Sequence, residues 1–329
     1  RSEQQTRNDN FFTTKFVLLD ASVIFHTLPF QSIVLLSGTL APFAQLEKEL
    51  KHTFSYKLIA PSIIKNNIFI RKVKTYNGLN LNGSYKNINN IEYIDKMIEI
   101  ILILRKNLRK GGTVVFLPNY TLIKTFKQRI YQLIQTSSDI TQNKRFKQSS
   151  DFRKSTFSKY YSSNNLNDEN VNLVRLIKSS FDEDLLFVED SQNFEKTFFN
   201  YSKACHQKKK PLLLSVYRGK SSEGTDFKDD LARLVICVSL PYPNIKDNTI
   251  RLHKEKKVNW YVNQCYRAIN QAIGRIIRDL NDYGGVFLLE ERVDKSRLSN
   301  WVQQSLIETE KLEDCLGDWS SFISEKQLK

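Results

Sequence analysis

The chain has 329 residues, of which 40% are hydrophobic and 26% are charged, as in globular proteins. Its 50 Lys and Arg against 35 Asp and Glu give a net charge of +15, and its 11 glycines and 7 prolines exclude collagen-like and proline-rich linker classes. No apolar run reaches the roughly 18–20 residues of a membrane span. The four cysteines form no Cys-x-x-Cys pair, which disfavours a zinc ribbon and favours an intracellular compartment.

Short apolar runs without polar alternation predict strands that are buried on both faces. They lie at Ser32–Ser37, Ile68–Val73, Thr113–Leu117, Leu212–Tyr217, Leu234–Leu240 and Val286–Leu289. Apolar residues at helical spacing predict helices at Ile91–Leu108, Tyr120–Ile134, Val258–Leu280 and Arg297–Thr309. Strands that alternate with helices predict an α/β fold with a mainly parallel sheet flanked by helices.

Ser137–Asn170 interrupts this pattern. Of its 34 residues 15 are Ser, Asn or Gln, and only Ile140 and Leu166 are aliphatic. So little apolar surface cannot offset the entropy of ordering, so we expect a flexible, low-complexity insertion over about 137–179. Ile101–Tyr160 carries 13 basic and 2 acidic residues, a net charge of +11. Clustered positive charge attracts a polyanion, although a solvated basic surface explains it equally well.

Polar groups follow two of the predicted strands. In Leu35–Phe43, LLSGTLAPF, the hydroxyls of Ser37 and Thr39 come at the carboxyl end of a strand, the end that faces the ligand crevice in open α/β sheets. A plain turn with Thr39 as a helix cap would give the same pattern. Thr113–Tyr120, TVVFLPNY, has the same form, and an ordinary strand end explains it as well.

The loop Tyr217–Phe227, YRGKSSEGTDF, has more charged groups. Around its two glycines stand Arg218, Lys220, Glu223 and Asp226. Glycine lets backbone approach a ligand closely, and loop N–H groups can hold anions. The P-loop pattern fails because position 214 is Leu where that pattern requires Gly. The alternative is a charged surface turn.

The segment Gln264–Arg278, QCYRAINQAIGRIIR, predicts a phosphate-binding surface. Its polar stripe consists of Arg267, Gln271, Arg275 and Arg278, which share one face if the helix is continuous. Guanidinium groups are always charged and pair with phosphate oxygens in a bidentate manner. Gly274 costs about 1 kcal/mol inside a helix relative to Ala, which suggests a close approach there. A solvated basic face is the alternative. The histidines at 26, 52, 206 and 253 lack ligand spacing, so no metal site is predicted.

In chain order, these four segments resemble motifs of the C-terminal half of XPD-like superfamily 2 DNA helicases. SGTLAP at 37–42, VVFLPNY at 114–120, RGKSSEGTDF at 218–227 and QAIGRIIR at 271–278 look like motifs III, IV, V and VI. The joining sequences LPYPNIKD, WYVNQCYRAINQ and DYGGVFLLEER match as well. The similarity is greatest to the FANCJ-type branch, with the RTEL and CHL types near behind. Thr225 departs from the family, which usually has an aliphatic residue there.

The resemblance implies an ATP-driven translocase that moves 5′ to 3′ on single-stranded DNA and unwinds duplexes in nuclear DNA repair. ATP and Mg²⁺ would lie between two RecA-like domains. The Walker A lysine, the DEAH carboxylates and the 4Fe–4S cysteines belong to the N-terminal half, which this sequence does not include. Residues 1–40 would end the first RecA-like domain, and 41–136 with 180–329 would form the second. The implied partners are single-stranded and forked duplex DNA, the N-terminal helicase half and DNA-repair proteins, without a membrane.

Roles carry over by position. Arg275 and Arg278 match arginines that reach the ATP phosphates, and Gln271 matches a residue that senses the nucleotide. The nucleotide-site positions are Glu223, Gly224, Asp226 and Gly274. The coupling positions are Ser37, Gly38 and Thr39. The expected contacts to the DNA backbone are Asn119, Tyr120, Arg218, Lys220 and Ser222.

Two other functions stay open. A helicase half could act as a non-catalytic nucleic-acid-binding or partner-docking fragment, with the insertion as its contact. Within the enzyme class, an XPD-type subunit of transcription and excision repair is the alternative. Without the catalytic carboxylates and the phosphate-binding lysine, residues 1–329 alone are not expected to hydrolyse ATP.

Overall fold

The computed structural model describes residues 16–38, 40, 42–60, 66–146, 168–180, 182–222, 224–277 and 281–328. Its strands are β1 (Ile68–Tyr76), β2 (Leu79–Asn80), β3 (Thr113–Leu117), β4 (Leu186–Val188), β5 (Leu212–Val216), β6 (Leu234–Val238), β7 (Gly284–Leu289) and β8 (Leu306–Lys311). Its helices are α1 (Ala21–Thr27), α2 (Phe43–Leu50), α3 (Ile91–Lys106), α4 (Tyr120–Phe146), α5 (Asp168–Ser180), α6 (Phe194–His206), α7 (Asn248–Lys256), α8 (Trp260–Ile273), α9 (Asn300–Ser305) and α10 (Glu313–Leu328).

The strands form one sheet in the order β2–β1–β7–β6–β3–β5–β4, and β8 pairs with β1. Neighbouring strands are parallel except for the antiparallel pair of β1 and β2. The central strands β3, β5, β6 and β7 are buried along their whole length. The predicted α/β fold with a mainly parallel sheet is therefore confirmed.

Side chains that alternate along each strand divide the core between the two faces of the sheet. On β3, Val115 and Leu117 belong to one apolar cluster, and Val114 and Phe116 belong to the other. The first cluster includes residues of α3, α4, α5 and α10. The second includes residues of α6, α8 and α9. Helices on both faces explain why the strands carry continuous apolar runs.

The predicted insertion is shorter in the structure. Helix α4 continues to Phe146, and α5 buries Leu173, Val174 and Ile177 in the first cluster. Helices therefore reach into both ends of the predicted insertion, and three apolar side chains at helical spacing are enough to pack α5; the flexibility of 137–179 stays a prediction. Residues 147–167 lie outside the described residues.

Three other predicted elements are wrong or wrongly bounded. Ser32–Ser37 forms no strand, and Val34 and Leu36 are 78% and 88% exposed, because no described strand pairs with this segment. Among the described residues of Val258–Leu280, which end at residue 277, only α8 is helical, and it ends at Ile273, before Gly274. Arg297–Thr309 contains the short helix α9 and then β8, whose register with β1 overrides the helical spacing.

Candidate functional site

The polar segments that follow β3 and β5 lie side by side, because these strands are parallel neighbours. Tyr217 donates its backbone N–H to the carbonyl of Leu117 over 3.1 Å, which joins the two strand ends. Asn119 caps α4, since its Oδ1 accepts the backbone N–H of Leu122 at 2.9 Å. Tyr120 begins α4 and is 38% exposed. The sheet therefore brings the predicted motif IV and motif V segments together at its carboxyl edge.

The loop after β5 is held by internal hydrogen bonds. The Ser222 backbone N–H and hydroxyl both donate to the carbonyl of Gly219, at 3.1 and 3.0 Å. The Thr225 hydroxyl donates to the carbonyl of Lys220 at 2.8 Å. Gly224 has φ +88°, and a Cβ built there would meet no atom within 4 Å. The loop thus keeps a fixed turn at its start and an open, glycine-dependent bend at residue 224.

Arg275 binds this loop from the end of α8. Its Nη1 donates to the Thr225 carbonyl at 3.2 Å, and its Nη2 donates to the Ser222 carbonyl. The helix has already ended, so Arg275 and Arg267 do not share one helical face. Arg267 instead forms an ion pair with Glu49 at 3.0 Å. The prediction that these side chains share one helical face is therefore wrong. The structure nevertheless places Arg275, the motif VI arginine, against the motif V loop.

The other predicted positions are placed as follows. Arg218 donates Nη2 to the carbonyls of Pro241 and Gln264 at 2.9 and 2.7 Å, so it fixes backbone in this structure. Ser222 is buried, whereas Lys220 and Asp226 are exposed and Gln271 is half-buried. Ser37 and Gly38 are exposed and belong to no helix or strand. A Cβ on Gly274 would meet only the carbonyls of Asn270 and Gln271, so no other described element approaches it. Thr39, Glu223 and Arg278 lie outside the described residues.

Sequence reasoning missed Glu189, which directly follows β4 at the same edge. It is 2% exposed, and its Oε2 accepts the backbone N–H of Val216 at 3.1 Å and the hydroxyl of Ser221. The available signal was an acid immediately after an apolar run, LLFVED. Because β4 has only three residues, this run did not stand out as a strand.

A second feature that sequence reasoning missed is a surface of partly exposed stacked rings and basic groups, here called the aromatic–basic surface. It consists of Tyr242, Tyr261, His253, Trp260, Lys246, Arg251, Lys254, Lys256 and Lys257. The rings of Tyr242 and Tyr261 stack at 5.1 Å, those of His253 and Trp260 stack at 4.4 Å, and Lys254 Nζ lies 5.0 Å from the Tyr261 ring centre.

This surface adjoins the loop after β5. Tyr261 donates its hydroxyl to the Pro243 carbonyl at 2.8 Å, and Arg218 holds the neighbouring carbonyl of Pro241. Burial lowers the pKa of His253, with a smaller effect from Lys257, so its ring is neutral at pH 7. The rings and the lysines suit a single-stranded nucleic acid, whose bases can stack on the rings and whose phosphates can pair with the lysines.

The described residues contain no group of three or more His, Cys, Asp or Glu placed to hold a metal ion. Within the same part of the chain, no helix has the length and apolarity needed to cross a bilayer.

The sequence matches a known helicase domain family, and the fold matches a solved structure. A solved structure titled XPD_Helicase has this fold, with a TM-score of 0.50 and 18% identity, over 84% of this chain and 42% of that chain. The Helicase C-terminal domain family matches residues 103–309, and the chain belongs to this family. The resemblance to the C-terminal half of XPD-like helicases, with the FANCJ-type branch among the relatives, is confirmed.

Curated relatives agree. The Fanconi anemia group J protein homolog of Gallus gallus is 29% identical over 95% of this chain and 24% of its own length. The ATP-dependent DNA helicase CHL1 of Candida albicans is 28% identical over 88% and 33%. The regulator of telomere elongation helicase 1 homolog of Aedes aegypti is 31% identical over 84% and 25%. The chain thus spans a quarter to a third of these relatives' lengths.

Proposed function

We propose that this chain is the second motor domain of an ATP-dependent DNA helicase. The observation that supports this proposal most is the pair of hydrogen bonds from Arg275 to the loop after β5. They place a permanent positive charge on the segment that would link nucleotide and DNA. The relatives named above are helicases by name, and the whole enzyme would require further domains of the kind those longer proteins contain.

The nucleotide would contact this domain through phosphates. Arg275 fits that role because a guanidinium is always charged and matches phosphate oxygens, and because its loop leaves open space at Gly224. Together with Arg278 it would stabilise the charge that develops in phosphoryl transfer, an effect worth about 10³–10⁵ in rate in other nucleotide hydrolases. Gln271, Glu223, Asp226 and Gly274 would complete this side of the nucleotide site. The Mg²⁺ carboxylates and the 4Fe–4S cluster would belong to the other half.

Coupling and DNA contact would use the remaining positions. Ser37 and Gly38 lie in a segment with exposed apolar residues, and Thr39 follows them in the sequence. Such a segment suits packing into the rest of a first RecA-like domain, whose end it would form. Lys220 and Tyr120 are exposed beside the strand ends and would contact the DNA backbone. We further propose 5′ to 3′ movement, duplex unwinding in DNA repair, a nuclear location, and a division into 1–40 and 41–329, with 137–179 inserted in the second part.

The test is Arg275→Ala in the full-length protein. We expect kcat for DNA-stimulated ATP hydrolysis to fall about 1,000-fold or more, because the charge stabilises only the transition state. The Kd for single-stranded DNA should stay within about twofold of that of the unmodified protein. Arg267→Ala is the matched control, because Arg267 is an exposed arginine on α8 whose partner is Glu49, and it should leave kcat within about twofold. Turnover of the Arg275 variant within twofold of the unmodified protein would contradict the assignment.

The second candidate is a non-catalytic nucleic-acid-binding module, which the aromatic–basic surface favours. The chain alone would then bind single-stranded DNA, with log K falling linearly against log salt concentration. Loss of this binding on deletion of residues 147–167 would support the insertion as the contact. ATP hydrolysis by residues 1–329 alone that survives Arg275→Ala would contradict the helicase proposal.

A further inference from the structure

Glu189 is a buried acid that the proposed chemistry does not use. It follows β4 at the carboxyl edge, and its backbone N–H donates to the Leu214 carbonyl at 2.8 Å, which continues the pairing with β5. The residue is 2% exposed, so its carboxylate is almost completely buried from solvent. Such a carboxylate needs hydrogen-bond donors, because burying an unpaired charge is costly.

The donors come from the strand end and the loop that follow. Val216 donates its backbone N–H to Oε2 at 3.1 Å, and Ser221 donates its hydroxyl to the same oxygen. Ser221 is itself fully buried. One carboxylate oxygen therefore connects Val216, the last residue of β5, to Ser221, five residues later.

The turn is also shaped to receive this carboxylate. A Cβ on Gly219 would lie 2.2 Å from Glu189 Oε1, so any other residue there would force the buried carboxylate to move. The nearby Glu189 charge also raises the pKa of Tyr120, after the larger effect of burial. The carboxylate thus faces both the motif IV tyrosine and the motif V turn.

Two hydrogen-bond steps separate Glu189 from Arg275. Glu189 holds Ser221, the adjacent Ser222 is bonded back to Gly219, and the Ser222 carbonyl accepts from Arg275. We infer that Glu189 is a positioning residue, which fixes the Gly219–Ser222 turn and thereby the motif VI guanidinium. The inference rests on the proposed function, since the guanidinium matters for rate only if this domain contributes to ATP hydrolysis.

The experiment compares Glu189→Ala, Glu189→Gln and Ser221→Ala in the full-length protein. Glu189→Ala should lower kcat for DNA-stimulated ATP hydrolysis roughly 10–100-fold, because a misplacement of about 1 Å can cost about 100-fold in rate. The Kd for single-stranded DNA should stay within about threefold. Glu189→Gln should recover kcat to within about fivefold, because the amide oxygen still accepts both donors. Ser221→Ala should fall between these two.

The close contact between Gly219 and the Glu189 carboxylate gives an independent test. Gly219→Ala alone should lower kcat, because its methyl group displaces the carboxylate. In the Glu189→Ala background the same change should add less than about twofold, because the clashing group is gone. The matched control is Glu195→Gln, an exposed glutamate on α6, which should leave every parameter unchanged.

The outcomes separate the two proposals. If the unmodified protein shows no DNA-stimulated ATPase, the proposed function fails, and hydrogen exchange of residues 214–222 decides on Glu189. Faster exchange in Glu189→Ala but not in Glu189→Gln would support the positioning role, and equal exchange would overturn it. If the unmodified protein is active, a folded Glu189→Ala with kcat within twofold overturns the inference. If Glu189→Ala does not fold, a folded Ser221→Ala with kcat within twofold of the unmodified protein overturns the inference. Failure of Glu189→Gln to recover kcat also overturns the inference.

Discussion

Arg233 provides the sharpest test of how the amino edge of the sheet is held. It is 5% exposed just before β6, and its Nη1 donates to Asp282 at 2.5 Å and to the Tyr283 carbonyl at 2.8 Å. Its Nε donates to Asp230 at 2.9 Å. The Asp282 side chain is fully buried. Replacing Arg233 by Met would therefore remove a guanidinium hydrogen bond from a buried carboxylate.

Removal of one partner from a buried ion pair costs about 3–5 kcal/mol. A domain of this size loses about 2–4 °C of Tm per kcal/mol, so Arg233→Met should lower Tm by roughly 6–20 °C. The assay is thermal unfolding followed by far-ultraviolet circular dichroism. The matched control is Arg251→Ala on α7, whose ion pair with Glu255 spans 3.9 Å between side chains 59% and 61% exposed. Such a surface pair contributes about 0.3–0.5 kcal/mol, so Tm should fall by less than about 2 °C.

The pH dependence of this effect has a defined sign. Although burial raises the pKa of Asp230, the hydrogen bonds from Lys110 and Arg233 together lower it below its usual value. A lowered carboxylate pKa stabilises the fold above the unfolded-state pKa of about 4, and this contribution is lost as pH falls through the folded-state pKa. The difference in Tm between Arg233→Met and the unmodified protein should thus become smaller below pH 4. A Tm of Arg233→Met within 2 °C of the unmodified protein at pH 7 would refute the argument.

Three further changes test other parts of the molecule. Tyr242→Ala should weaken single-stranded DNA binding by the chain about 5–150-fold in fluorescence anisotropy, because base–aromatic stacking contributes about 1–3 kcal/mol. Because burial lowers the pKa of His253, Trp260 emission should be quenched only at a pH lower than that at which an ordinary histidine becomes charged, as the stacked ring gains its proton. Gly285→Ala should lower the free energy of unfolding by about 1–3 kcal/mol, since its Cβ would lie 2.3 Å from the Trp319 ring.

Each of these has a control in the same chain. Phe199 is 68% exposed on α6, outside the aromatic–basic surface, so Phe199→Ala should leave DNA affinity unchanged. Gly317 lies on α10 with open space around it, so Gly317→Ala should stabilise the fold by up to about 1 kcal/mol. The pH-dependent quenching should disappear in His253→Gln. Equal effects of test and control changes would contradict the assignments.

Strand positions could be predicted from the sequence because doubly buried strands leave a continuous apolar signature. Thr113–Leu117 has the same bounds in prediction and structure. The edge strand β8 could not be predicted in this way. Its register with β1 sets Lys72 opposite Glu308, with an ion pair at 3.4 Å, and such partners are 236 residues apart in sequence. Tertiary pairing therefore decided a segment whose local spacing favoured a helix.

The candidate site also has parts that could be predicted from the sequence and parts that could not. Its loops were predictable because glycine and charge follow apolar runs, as in Tyr217–Phe227. The end of α8 was not, because apolar spacing continues past Gly274 while the Arg275 guanidinium finds backbone acceptors elsewhere. Glu189 was missed because its partners, Val216 and Ser221, lie on another strand and loop, and a single acid shows no periodicity.

The position of β1 has a consequence for synthesis. It lies between β7 and β8, so Ile68 pairs with Gly284 and Ile70 with Leu306, more than 200 residues later. At about 5–20 residues per second, a ribosome needs roughly 10–50 s to supply these partners. The strands β3, β5 and β6 can pair with one another earlier, whereas until then β1 can pair only with the two residues of β2. A nascent chain would thus present a nine-residue strand without its two parallel partners to chaperones, and truncation near residue 283 would leave β1 without β7 and β8.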